Sequence, residues 1–259
     1  MNWGPDRWNT LRVRGGALVR TLSGLRFVNP ALDGSVYCNA QLDDYQGLPR
    51  RCFYNRPPLR LRLRARFSHE ANELGGTAGF GFWNDPLMMT GWRTPALPRA
   101  LWFFLAAPPS DMRLAVGTPG WGWKAAVLDA LTVRGVLALP LAALAAPLMR
   151  NPQLFRRLWP RFERSFGIAE RQLDGATAGP ITQWHTYQID WGVQQTTFLV
   201  DGRVVLEAQS PQGPLGFVAW LDNQWMIVHP QGRLGYGLVA KSAPQWLEID
   251  DLHLEKPLL

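Results

Sequence analysis

The sequence predicts an all-β protein, a sandwich of two sheets with one helical insertion. Three observations carry this. Leu59 to Phe67, LRLRLRARF, alternates strictly, with Leu59, Leu61, Leu63 and Ala65 on one side and Arg60, Arg62, Arg64 and Arg66 on the other. Trp184 to Trp191 alternates too: His185, Tyr187, Ile189 and Trp191 share one face, and Thr186, Gln188 and Asp190 the other. A period of two marks a half-buried strand, because successive side chains leave opposite faces of a sheet. Third, the β-branched and aromatic run Thr196 to Val200 leads into Asp201-Gly202, a pair suited to a tight hairpin turn. Composition agrees: 13 Trp, 21 Pro and 25 Gly suit many short strands and turns better than helices.

The 259 residues fit one large β domain over 1–259, and a 47% hydrophobic content is enough for a full core. Net charge is +7 but uneven. Residues 1–66 carry 12 Arg against 4 acids, while residues 176–259 carry 4 basic against 8 acidic residues. Such segments can face each other inside one fold, so no nucleic-acid partner is expected; that would call for a broad basic surface. Two cysteines, Cys38 and Cys52, are too few for a disulfide framework, and free thiols are expected. The opening MNWGPDRWNTLRVRGG has no apolar core of signal-peptide length. The expected location is therefore cytoplasmic, or peripheral on a membrane. The four histidines show no metal-ligand spacing, and no cofactor motif stands out, so neither a metal nor a cofactor is expected.

In chain order, residues 8–28 mix apolar residues with Arg spacers and read as a strand or a short arm. Val36 to Asp44 and Arg51 to Tyr54 read as short strands around a Gly-Leu-Pro turn. Gly79 to Trp83 and Ala100 to Ala107 are apolar on both faces, as central strands are. Leu215 to Leu221, Trp225 to His229 and Gly235 to Ala240 follow the hairpin. Trp246 to Glu255 closes the chain, and the slip in its alternation at Asp250-Asp251 predicts a bulge. Cross-strand pairing with Glu248, Asp250 and Glu255 is the expected role of the four Arg of residues 59–67.

Residues 125–175 read as the helical insertion. Ala125 to Arg134 looks helical. Gly135 to Met149, GVLALPLAALAAPLM, is uncharged for 15 residues. Gln153 to Glu170 has Leu154, Phe155, Leu158, Phe162 and Phe166 at helical spacing. Fifteen residues fall short of the ~20 needed to cross a bilayer. The segment could instead lie in a membrane interface over 135–161. Contact would run through Val136, Leu137, Leu139, Leu141, Leu144 and Leu148, with Trp159 as anchor and Arg134 and Arg150 as flanks. A lid over the sheet and plain packing are the other readings.

Several strings resemble the laminarinase-type, family-16 glycoside hydrolases: WHTYQIDW followed by TTFLVDG, then GGTAGFGFWND, PLGFVAWLDNQ and WLEIDDLHLE. The resemblance covers about two-thirds of the chain by order of motifs and implies a two-sheet, concanavalin A-like jelly roll. It also implies a Glu-x-Asp-x-(x)-Glu pattern on the strand after GGTAGFGFWND, supplying the carboxylate pair of a retaining hydrolase. Here that strand is ALWFFLAAP. Leu101, Trp102, Phe103 and Phe104 stand in those positions, and no carboxylate lies between Asp85 and Asp111. The family's hydrolytic mechanism is not expected, and no catalytic residue is assigned.

A ligand site is expected from aromatics on or near the concave sheet: Trp83, Trp102, Phe104, Trp121, Trp123, Trp220 and Trp225. Asn84-Asp85 and Asp222-Asn223 each follow a strand beside a Trp and could line one cleft edge, although ordinary Asx turns also explain Asn-Asp-Pro. Amides and carboxylates over an aromatic floor suit a ligand with a polar end. The leading expectation is a non-hydrolytic protein that binds a small apolar or amphipathic ligand at a membrane surface. A carbohydrate-binding or carbohydrate-active protein, with Asp85 and Asp222 as carboxylates, is the alternative. A structural subunit of a membrane-associated complex is the third.

Overall fold

The computed structural model describes residues 7–86 and 94–256. The first six residues of the segment read for a leader lie outside the described residues. Up to the insertion the strands are β1 (Asn9–Val13), β2 (Ala17–Arg20), β3 (Gly24–Asn29), β4 (Asn39–Asp43), β5 (Leu59–Phe67), β6 (Thr77–Trp83), β7 (Arg99–Ala106), β8 (Asp111–Met112) and β9 (Gly122–Asp129). Helices α1 (Val133–Ala145) and α2 (Pro152–Ser165) follow. The chain then forms β10 (Ala169–Gln172), β11 (His185–Trp191), β12 (Gln195–Val200), β13 (Arg203–Gln209), β14 (Gly216–Asp222), β15 (Gln224–Val228), β16 (Leu234–Leu238) and β17 (Gln245–Glu255).

Two antiparallel seven-stranded sheets result. The first has the order β1-β4-β14-β6-β7-β9-β10 and the second β13-β12-β11-β5-β17-β3-β2. A small third sheet runs β16-β15-β8. This is the all-β sandwich that the alternation predicts, in the jelly-roll form that the resemblance implies. The apolar side of each alternating strand turns inward: Leu61 and Leu63 of β5, Tyr187 and Ile189 of β11, and Phe80 and Phe103 of the first sheet are all buried in one core. Asp201 and Gly202 both have positive φ, 49° and 78°, as a primed hairpin turn requires. The predicted bulge is present too: the β17–β5 register shifts between Asp250 and His253, and Asp251 has φ 50°.

The arginine face of β5 is neutralised by carboxylates of both neighbouring strands. Arg60 pairs with Asp190 of β11, while Arg62, Arg64 and Arg66 pair with Asp251, Asp250 and Glu248 of β17. Glu255 stands opposite Arg60 in register, but the Arg60 guanidinium turns to Asp190. Arg64 and Arg66 also lie over the Trp184 ring. The basic first quarter thus meets the acidic last third across one sheet.

Four expectations need correction. Residues 8–28 form three strands, β1 to β3, broken at Gly15 (φ 95°) and at the Thr21–Gly24 turn. Arg51 to Tyr54 is not a strand: Arg50–Cys52 is a 3-10 turn after Pro49, with Cys52 N–H donating to the Pro49 carbonyl. Ala125 to Asp129 is strand rather than helix, because it completes β9, paired with β7 from Gly122–Ala106 to Asp129–Arg99. Alanine's helical preference is weak beside eight paired residues and a buried inner face. Likewise α2 ends at Ser165, and Ala169–Gln172 pairs with β9.

Each helix starts at a side-chain cap. Thr132 caps α1 by accepting from Gly135 N–H, and Asn151 caps α2 by accepting from Gln153 and Leu154 N–H. Ala138, Ala142 and Ala145 of α1 pack with Phe155, Trp159 and Phe162 of α2. Trp159, expected as a membrane anchor, is instead buried in this helix pair and donates its indole N–H to the Leu114 carbonyl. Val136, Leu137, Leu139, Leu141, Leu144 and Leu148 are exposed. No helix among the described residues is long and apolar enough to cross a membrane. Cys38 is buried and Cys52 exposed, both as free thiols.

The two tryptophans flanking Gly122 provide a stability test. Trp123 is fully buried between the sheets and Trp121 is 42% exposed. Trp123→Ala is expected to cost ~3–5 kcal/mol in urea unfolding, and Trp121→Ala to stay within about 0.5 kcal/mol. Equal losses would contradict the inward placement of Trp123.

Candidate ligand-binding face

The outer face of the first sheet collects the side chains that alternate away from the core. From β7 these are Trp102, Phe104 and Ala106, from β14 Val218, Trp220 and Asp222, and from β6 Gly79, Gly81 and Trp83, while Leu101, Phe103, Phe217 and Leu221 belong to the core. Register places Trp220 and Phe104 on either side of Gly79. A Cβ at Gly79 would sit 3.0 Å from the Trp220 ring and 2.4 Å from the Phe103 carbonyl oxygen. The missing side chain lets the flanking rings converge. Trp102 stacks on Phe104 at 5.4 Å and tilts against Trp220 at 5.5 Å and Trp83 at 5.8 Å. Trp83 donates to the Tyr45 hydroxyl at 2.6 Å and Trp220 to Thr77 Oγ1 at 2.9 Å. Phe104 and Trp220 are 8% and 9% exposed, and Trp83 and Trp102 are half-buried.

Four of the seven expected aromatics, Trp83, Trp102, Phe104 and Trp220, therefore form one cluster. Trp123 does not join it: it points into the core beside Phe67, Phe80, Phe103 and Tyr187. Trp121 sits in the turn before β9. Trp225 belongs to the small sheet, where its ring covers Gly237; a Cβ there would lie 2.7 Å from the indole.

The two Asp-Asn pieces do not share a cleft edge. β6 and β14 are neighbours, but antiparallel, so Trp83 stands opposite Gly216 and Ala78 opposite Leu221. Asn84 and Asp85 follow one end of the sheet; Asp222 and Asn223 lie at the other. Each piece also holds a loop. Asn84 donates to the Leu97 carbonyl and accepts from Arg99 N–H, and Arg50 donates to the carbonyls of Asn84 and Asp85. Asn223 accepts from Cys38 N–H and donates to the Val36 carbonyl. Asp85 is fully buried with φ 45°.

A polar strip beside the rings was not singled out from the sequence. Asn39, Gln41 and Asp43 of β4 alternate with the core residues Ala40 and Leu42, a period-two signal readable in NAQLD. Gln41 stands opposite Trp220, and Asn39 opposite Asp222. Gln41 donates to Asp43 at 3.1 Å, and the Asn39 amide oxygen is buried without a partner.

At the insertion side a cavity of ≈ 640 Å³ is lined by Arg113, Val116, Thr118, Phe155, Arg156 and His229, among others. Asp111 holds both His229 Nε2, at 2.7 Å, and Arg113 Nε, at 2.8 Å. Behind it Lys124 and Glu170 are buried 3.4 Å apart. Burial moves both toward their neutral forms, Lys124 down and Glu170 up, against their mutual attraction. Among the described residues no three His, Cys, Asp or Glu side chains converge as metal ligands do.

Asp222 accepts from Thr77 N–H and Oγ1 and from Gln224 N–H, yet burial pushes its carboxyl up to about 7. In an unfolded chain Asp titrates near ~3.9. Between these values the folded state holds the extra proton, so this group stabilises at low pH and loses that contribution as pH rises toward 7. Asp222→Asn is expected to flatten the fall of unfolding free energy between about pH 4 and 7. Parallel pH profiles for variant and parent would contradict this.

Comparisons with known proteins follow the same lines. The family model "Glycosyl hydrolases family 16" matches residues 165–220. No curated protein matches the chain by sequence. A family-16 endo-glucanase from Bacteroides ovatus superposes with a TM-score of 0.54 at 9% identity, covering 98% of this chain and 96% of that one. The β-glucanase of Bacillus licheniformis gives 0.52 at 11% identity, over 99% and 95%. The GlcNAc-α1-4-Gal-releasing endo-β-galactosidase of Clostridium perfringens gives 0.51 at 12%, and this chain spans only 57% of its length. At these identities the shared property is the fold. In fold, and in sequence over residues 165–220, the chain resembles the family-16 glycoside hydrolases.

Proposed function

We propose that this protein binds a glycan along the outer face of its first sheet and does not cleave it by the two-carboxylate route. The carrying observation is the cluster of Trp83, Trp102, Phe104 and Trp220, two of its rings half-buried, with Gln41 of β4 in register beside Trp220. Sugar rings offer C–H faces to aromatic surfaces and hydroxyls to amides, so an aromatic floor with a polar border suits them. Likeness to family-16 proteins, one of them described in complex with a glucan product, favours this reading. Phe104 and Trp220 already pack against their neighbours, which favours a ligand lying along the surface over a small apolar ligand held inside.

Two observations support binding without that chemistry. Retaining hydrolysis needs two carboxyl groups ~5–5.5 Å apart across the cleft. The outward positions of β7 hold Trp102, Phe104 and Ala106. Asp43 and Asp222 on the same face are buried and engaged by backbone N–H groups, Asp43 by Tyr45 and Gln46 and Asp222 by Thr77 and Gln224.

Titration calorimetry with laminarin and mixed-linkage glucan oligosaccharides tests the reading. Binding is expected, with Trp102→Ala weakening it about tenfold, or ~1.4 kcal/mol, and Trp121→Ala leaving it unchanged. A reducing-end assay should stay silent. An affinity unchanged by Trp102→Ala would overturn the assigned face, and released reducing ends the non-hydrolytic role.

A further inference from the structure

Helix α1 is apolar on nearly every side but covered on only one. A helix of that composition is normally buried all round. Here Ala138, Ala142 and Ala145 pack inward, while Val133 is 77% exposed, Leu137 68%, Leu141 61% and Leu144 76%, with Leu148 just beyond at 60%. Arg134 is the one charged residue of the helix. So many large apolar side chains side by side on one helix need an occupant.

Charge identifies it. The insertion carries six arginines, Arg134, Arg150, Arg156, Arg157, Arg161 and Arg164, all exposed. None is in an ion pair among the described residues. Between residues 130 and 169 the sole carboxylate is Glu163, which accepts from Val116 N–H on the opposite, inward side. The paired arginines of β5 show how this chain treats cations that serve its own fold; those of the insertion lack such partners. A second copy docking through the same surface would bring two such sets together, and like charges repel. A surface that is apolar beneath and anionic above meets both requirements.

We propose that the outer face of α1 docks into the interface of an anionic lipid bilayer, with the insertion's arginines at the headgroups. Its 13 residues span about 20 Å at 1.5 Å per residue, short of a ~30 Å hydrocarbon core, so the helix lies in the interface and does not cross it. Leucines enter the acyl boundary and the arginines supply the electrostatic share of binding. The proposal stands independently of the glycan reading, since the face lies on the insertion and not on the aromatic cluster.

Flotation of the full-length protein with vesicles tests it, comparing phosphatidylcholine alone with phosphatidylcholine mixed with phosphatidylserine. The protein is expected to float with the mixed vesicles and to be largely released by high salt. Leu137→Ser/Leu141→Ser/Leu144→Ser, at exposed positions, should reduce flotation roughly tenfold or more while circular dichroism and glycan binding stay unchanged. Arg156→Glu/Arg157→Glu should do the same without touching a leucine. Three outcomes would overturn it: no flotation of the parent protein, equal flotation with both vesicle types, or a dimer in light scattering that the serine variant dissociates without any vesicle binding.

Discussion

The insertion of Tyr187 among three rings of the opposite sheet is the contact on which the sandwich depends. Its ring centroid lies 5.2 Å from Phe80, 4.9 Å from Phe103 and 5.7 Å from Trp123. Tyr187 comes from the second sheet and the other three from the first, so this one aromatic knot fixes how the sheets face each other. It also fixes what faces outward. In a strand the side-chain period is two, and a slip of one residue would exchange the two faces. With Phe103 locked inside, Trp102 and Phe104 must lie outside. The candidate binding face is thus the complement of the core, set by the same register.

The outer face then needed room for large rings on adjacent strands. Gly79 and Gly81 supply it on β6, where any side chain would strike the β7 backbone: a Cβ at Gly81 would fall 2.5 Å from the Leu101 carbonyl oxygen, and its φ is 152°. Packing on the inner face and thinning on the outer face of one strand together produce the aromatic cluster. The polar strip of β4 completes it on one side. The insertion, hung between β9 and β10 at the far edge of the same sheet, adds a surface of different chemistry: an exposed apolar helix face on a segment with six exposed arginines.

Charge follows a parallel division of labour. The β5 arginines face carboxylates of β11 and β17, and Arg26 joins Arg66 on Glu248. The exposed pairs, Arg60–Asp190 and Arg62–Asp251, each contribute little, ~0–1 kcal/mol, but the whole row discourages any register that would set arginines against one another. Inside the first sheet the opposite rule holds. Asp222, Glu170 and Lys124 are buried, and burial moves each toward its neutral form.

The sequence by itself determined the elements whose signal is local. Strict alternation marked β5 and β11, Asp201-Gly202 marked the β12–β13 turn, and the broken alternation of β17 marked its bulge. The uncharged run at 135–149 announced an apolar helix. The absence of carboxylates from β7 was legible without coordinates; the polar face of β4, although its alternation is there in NAQLD, was not singled out. What only the tertiary structure decided depends on partners far away in the chain. Ala125 to Asp129 and Ala169 to Gln172 are strands because β7 and β9 offer them backbone groups to pair with, and alanine's own preference points elsewhere. Trp123 and Trp159 look like surface aromatics in sequence, yet one enters the core and the other the helix pair. Asp85 and Asp222 lie apart because neighbouring strands run antiparallel, a direction that no local pattern encodes. A side chain's face is set by its own strand's period, but what meets it there is set by which strand arrives alongside.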